Sequence, residues 1–163
     1  MTLARLLGRG PRREPPSDIE TAERMRGLAE AFVERARAEG FALDWDPAFL
    51  HHLDNYCAAF AATGPAPEDA HEVIMGAGAY LGELIVRNCG WSWVYCTDQR
   101  AAAVDSPDGL RGYPHNKVAK RINRGSAHDL AAFFAFAKTG EPPHGTTARP
   151  LRQPWWRWPR SRA

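Results

Sequence analysis

A chain of 163 residues, 44% hydrophobic and 25% charged, has the length and composition of one globular domain able to bury a core. Its longest apolar run, Val73 to Val86, contains Glu83 and is shorter than the roughly 20 residues of a membrane span, which argues against a transmembrane protein. The net charge of +2 hides an asymmetry: residues 1–16 carry four arginines against Glu14, net +3, and residues 144–163 carry five arginines, net +5, which leaves −6 for the middle.

Residues 1–16 read as a flexible basic arm, with glycines and prolines between Gly8 and Pro16. No sustained apolar region or cleavage site marks a signal peptide. Ser17 and Glu20 form a capping box that opens a first helix. Ile19, Ala22, Met25, Ala29, Phe32, Val33 and Ala36 are its inward stripe, and Gly40 ends it. Asp46-Pro47 opens a second helix with Phe49, Leu50, Leu53, Cys57 and Phe60 inward, closed by Gly64. Pro67 opens the third, with Glu68, Asp69 and Glu72 in its first turns, where the helix dipole favours negative charge. Ala70, Val73, Ile74, Ala77, Leu81, Leu84 and Ile85 cover most of its circumference. Gly78 and Gly82 form a small-residue face, which predicts that a neighbouring helix or strand crosses there at close range.

After Gly90 the period changes to two. Trp91, Trp93 and Tyr95 alternate with Ser92, Val94 and Cys96, which is strand spacing. Thr97 to Arg100 turns the chain, Ala101 to Val104 returns, Asp105 to Gly109 turns again, and Leu110 to Tyr113 forms a short third strand. Pro114 breaks the sheet, and Asn116 caps a short helix that ends at Gly125. Ser126 and Asp129 open a last helix with Leu130, Phe133, Phe134 and Ala137 inward, closed by Gly140. The expected architecture is α+β, in one domain over residues 17–140. It comprises three N-terminal helices, a small antiparallel meander of two or three strands, and one or two C-terminal helices. Residues 141–163 form a tail rich in Pro, Trp and Arg.

Several residues in this order form a wider pattern: Leu43-Asp44, Leu53-Asp54, Gly78-Ala79-Tyr80-Leu81-Gly82-Glu83, Arg87, Gly90 and Trp91 or Trp93. They are followed by Pro114, Lys117, Val118, Lys120, Arg121, Gly125 and Leu130. The pattern resembles a group of uncharacterised small bacterial proteins classed as domains of unknown function, over roughly residues 25 to 138 and neither end. The resemblance implies an α+β fold and no activity. The alanine- and arginine-rich composition implies an actinobacterial source.

Four constellations are candidates for chemistry. Glu83 and Arg87 stand in the favourable order for a helix ion pair. With Trp91 and Trp93 they form either a carboxylate-bearing groove or a structural tie between helix and sheet. Lys117, Lys120 and Arg121, with Arg111 and Arg124 nearby, are a basic patch for an anion, an acidic protein face or nucleic acid phosphates, or a solvated helix face. His51, His52, His71 and the cysteines have no recognised ligand spacing, so no metal or cofactor is expected. Cys57, Cys89 and Cys96 are an odd number without a close pair, which fits reduced thiols in the cytoplasm; nothing in the sequence marks one as activated.

The tail from Arg152 to Arg160 is the least ordinary stretch. Trp155, Trp156 and Trp158 are interleaved with Arg157 and Arg160 and flanked by prolines. This composition suits a membrane interface, stacking on single-stranded nucleic acid or a protein partner, or else a wrap around the tail's own acidic domain. No DNA-reading motif is present, so nucleic acid is not the expected partner. The reading is a cytoplasmic, non-enzymatic interaction module whose tail engages a protein or an anionic surface, placing it at the membrane periphery in the latter case. The alternatives are a small-ligand-binding protein or enzyme using a groove near Glu83, Trp91 and Trp93, and an immunity-type inhibitor of a partner toxin.

Overall fold

The computed structural model describes residues 14–141, and local stop and start signals set its elements. Ser17 caps α1 (Asp18–Ala38): its hydroxyl accepts the Glu20 N–H, and the Glu20 carboxylate accepts the Ser17 N–H at 2.7 Å. Asp46 caps a 3₁₀ turn, Pro47–Phe49, that leads directly into α2 (Leu50–Ala62). Pro67 occupies the first turn of α3 (Pro67–Cys89), with Glu68 and Asp69 beside it. Gly90 ends that helix at φ 70°, a left-handed conformation that a side chain would resist. The meander follows as β1 (Ser92–Cys96), β2 (Ala101–Asp105) and β3 (Arg111–Gly112), antiparallel and in that spatial order. Trp93 pairs with Val104, Cys96 with Ala101, and Asp105 with Arg111. The chain closes with α4 (Pro114–Arg124) and α5 (Leu130–Thr139). The α+β architecture expected from the sequence is the one observed.

Helix α3 is the axis of the packing. It touches α1, α4, α5, β1 and β2, and Ala77, Tyr80, Leu81, Leu84 and Ile85 are wholly buried along it. Each buried Leu or Ile side chain contributes about 1.5–3 kcal/mol. An exposed helix ion pair contributes about 0.3–0.5 kcal/mol, so apolar burial decides where α3 sits. The glycine face is a contact, as its spacing predicts. A Cβ on Gly78 would stand 2.7 Å from the His115 Cα, and one on Gly82 would overlap the Trp93 ring. The start of α4 and the first strand therefore approach α3 more closely than alanine permits. Gly76 makes a third such contact, with Phe32 of α1.

The sheet is guarded at its first edge. The Tyr95 N–H, which points away from β2, donates to Asp18 Oδ1 at 2.8 Å. The N-terminal end of α1 thus covers the outer side of β1 and blunts an edge that could otherwise pair with another chain.

Some expectations need correction. Pro114 ends the sheet as expected, but it and not Asn116 opens α4: it takes the first helical turn after Tyr113, where its missing N–H is harmless, and Asn116 lies within the helix. Asp129 alone caps α5, accepting from Ala131 and Ala132, in place of a box with Ser126. Ile19 is 74% exposed and not in the stripe, because it lies in the first turn of α1, beyond the reach of α3. Glu72, Gly76, Ala79 and Glu83 share one edge of α3 that helical spacing alone reads as polar; only Glu72 reaches solvent, and the other three are buried.

Candidate functional site

Glu83 lies in the third quarter of α3 and is 3% exposed. One carboxylate oxygen accepts Arg87 Nε at 2.9 Å, with Arg26 Nε at 3.7 Å. The other accepts the Trp93 indole N–H at 3.1 Å. Arg87 extends over the Trp45 ring at 3.7 Å, with Glu30 of α1 at 3.8 Å. A buried carboxylate is tolerated when fixed donors replace its water, and here the donors come from α3 and β1, with the Arg26 charge of α1 close by. The place where a groove would lie is filled by Trp93 and Pro114 against Gly82. Trp91, the fourth residue of the expected groove, faces elsewhere: it is 5% exposed and donates its indole N–H to the Ala137 carbonyl in α5 at 3.0 Å. The four residues are thus structural ties between layers of the fold. A cleft of about 740 Å³ lies elsewhere, lined by Ala61, Pro65, Pro67, Ile74 and Ile122 among others.

The basic patch does not survive intact. Arg121 is 6% exposed and forms a bidentate pair with Asp54 of α2, at 2.6 and 2.8 Å. Its charge is consumed by an acid 67 positions away, a partner invisible to a local count. Lys117 is half-buried, with Nζ 6.0 Å from the Phe133 ring centre. Burial lowers its pKa, against the opposing pull of Asp129. Lys120 is partly buried.

His115 was not singled out from the sequence. Its Nε2 is enclosed without a protein partner, and its ring lies over Gly78 and 6.0 Å from Trp93. Burial pushes its pKa down to about 4, with a hydrogen bond to the Met75 backbone opposing. Among the described residues no group of three or more His, Cys, Asp and Glu could hold a metal ion. His51, one of the histidines considered, donates to the Ala48 carbonyl at 2.8 Å.

The separate pieces of the sequence pattern meet one another in space. Tyr80 donates its hydroxyl proton to the Asp44 carbonyl, Asp54 holds Arg121, Gly82 and Glu83 hold Trp93, and Gly78 receives His115 beside Pro114. Set against family models, curated proteins and solved structures, the chain has no match. What the pattern encodes is therefore read from its contacts, and these are contacts of a fold.

The cysteines divide. Burial, with Asp54 adding to it, pushes Cys57 up to about 12, and burial raises Cys89. Burial also acts upward on Cys96, but hydrogen bonds from Tyr113, the Gln99 backbone and Arg111 outweigh it and lower its pKa. Sequence reasoning missed this group because Tyr113 and Arg111 lie 17 and 15 positions away. Trp155, Trp156, Arg157, Trp158 and Arg160 lie outside the described residues, and no described helix is long and apolar enough to cross a membrane.

Proposed function

We propose that this chain is a non-enzymatic interaction module, an acidic domain that carries a basic, tryptophan-rich C-terminal segment to a protein or an anionic surface. One observation carries the reading: the domain uses all three of its own tryptophans internally. Trp45 lies under Arg87, Trp91 is bonded to Ala137, and Trp93 is bonded to Glu83. The remaining three, Trp155, Trp156 and Trp158, stand among the arginines of the tail. A net charge of −6 over the middle of the chain repels anions, so attraction to an anionic partner falls to the ends. The small-ligand reading loses support because Glu83 is sealed by protein donors. Kinship with the uncharacterised bacterial family is part of the same proposal; its motif residues act as packing contacts, which fits a scaffold. The proposed location is the cytoplasm, at the membrane periphery if lipid is the target.

The test is co-sedimentation of the full chain with anionic and neutral vesicles over a salt series, alongside a chain with Trp155, Trp156 and Trp158 replaced by alanine. Binding that needs anionic lipid, weakens with salt and fails in the triple variant is expected. Binding that survives the three substitutions removes the proposal. Loss of melting temperature in the triple variant, with vesicles binding neither chain, would identify the tail as a structural wrap and also overturn it.

A further inference from the structure

The outward face of the sheet carries a cluster that neither the core nor the Glu83 junction uses. Strand register places Ser92, Val94 and Cys96 on the same face as Ala101, Ala103 and Asp105, with Arg111 opposite Asp105. Cys96 is 7% exposed, yet it is not part of the continuous apolar core. What covers it is a surface layer: Arg111 Nη1 lies 3.6 Å and the Tyr113 hydroxyl 3.4 Å from its sulfur. The Arg111 side chain is itself 40% exposed and is clamped by Asp105 through two hydrogen bonds, at 2.6 and 2.7 Å. Cys96 directly precedes the exposed turn Thr97–Arg100.

We propose that Cys96 is a site of oxidation by hydrogen peroxide, with Arg111 and Tyr113 as the positioning groups that make its sulfur nucleophilic. A guanidinium, a phenol and a backbone N–H are donors that favour sulfur as the anion, and the anion is the attacking species. Asp105 fixes the guanidinium so that Nη1 remains directed at the sulfur. In the reaction the Cys96 thiolate attacks one peroxide oxygen. An S–O bond forms as the O–O bond breaks, the sulfur loses two electrons, and the peroxide is reduced. The thiolate becomes a sulfenic acid, and the departing hydroxide takes a proton from solvent and leaves as water. A small uncharged oxidant suits a sulfur covered by two side chains. Cys57 and Cys89 lack these donors and serve as internal references.

The experiment exposes the full chain to hydrogen peroxide, traps sulfenic acid with dimedone, and follows each cysteine by peptide mass spectrometry. Cys96 is expected to be trapped at least about tenfold faster than Cys89 or Cys57. In Tyr113→Phe and Arg111→Gln its rate falls several-fold while Cys89 is unchanged. A Cys57 that stays unlabelled reports that each variant is folded. Equal rates at the three cysteines in the unaltered chain overturn the proposal without reference to any variant. A Cys96 rate that is unchanged or faster in Arg111→Gln overturns it as well, since Arg111 would then be only a cover.

Discussion

The two faces of the sheet use one strand in opposite ways. Trp93 turns inward and meets Glu83 with Arg87; Cys96, three residues on, turns outward and meets Arg111 with Asp105 and Tyr113. Each face combines an arginine, a carboxylate and an aromatic donor. On the inner face the carboxylate is the buried member, and two hydrogen-bond donors and a second arginine, from three elements, converge on it. On the outer face the ion pair is 40% and 30% exposed, and the buried member is a thiol beneath it. A buried ion solvated by fixed neighbours holds the layers of a fold together. A half-exposed ion pair stabilises little, so its field acts chiefly on the group it covers.

This difference gives graded predictions. Glu83→Ala leaves the Trp93 N–H without its acceptor in a buried site and leaves the part-exposed Arg87 with Glu30 alone. It should cost about 2–3 kcal/mol in denaturant unfolding, and Glu83→Gln less. A loss below about 1 kcal/mol would reduce the junction to a surface pair.

The same seam should be acid-sensitive through His115. Its folded pKa of about 4 lies below the ordinary 6.5, so the unfolded chain binds the proton more readily. Its contribution is fully present above pH 6.5 and is lost as pH falls from there through about 4, in all about 3 kcal/mol. His115→Gln should flatten that limb of the stability curve. An equally steep acid limb in the variant would clear His115.

Gly82→Ala follows at about 2 kcal/mol destabilising, since overlap with the buried Trp93 ring outweighs a helix-propensity gain of about 1 kcal/mol. Unchanged stability would show that Trp93 can move. Asp105→Asn on the outer face should shift stability by no more than about 1 kcal/mol. A loss rivalling that of Glu83→Ala would erase the distinction between the faces.

Much of the chain was legible as local physics. The Ser17–Glu20 box, the Asp46 cap, Pro67 in the first turn of α3 and the left-handed Gly90 and Gly140 all act within a few residues of themselves. The Gly78/Gly82 spacing even announced a close crossing, because two mid-helix glycines lower helix propensity and need a reason. Local reading failed where two local signals competed. Asn116 is an ordinary cap residue, but Pro114 two positions earlier already has a helical φ and takes the first turn.

Charge was the least legible quantity. Arg121 counted as a member of a basic surface until Asp54 closed on it, and Glu83 read more readily as a tie but left a groove carboxylate as the alternative. Arg111 and Asp105 were placed in a strand and a turn without any hint that they flank Cys96.

Local sequence was enough for the order and type of the elements and for most of their ends and apolar faces, because propensity, capping and periodicity are properties of neighbours along the chain. Only the tertiary structure decided which charges are spent inside and which cysteine is set apart. Those outcomes depend on groups 10 to 67 positions apart meeting within a few ångströms, where burial strengthens each interaction and no local pattern records the partner.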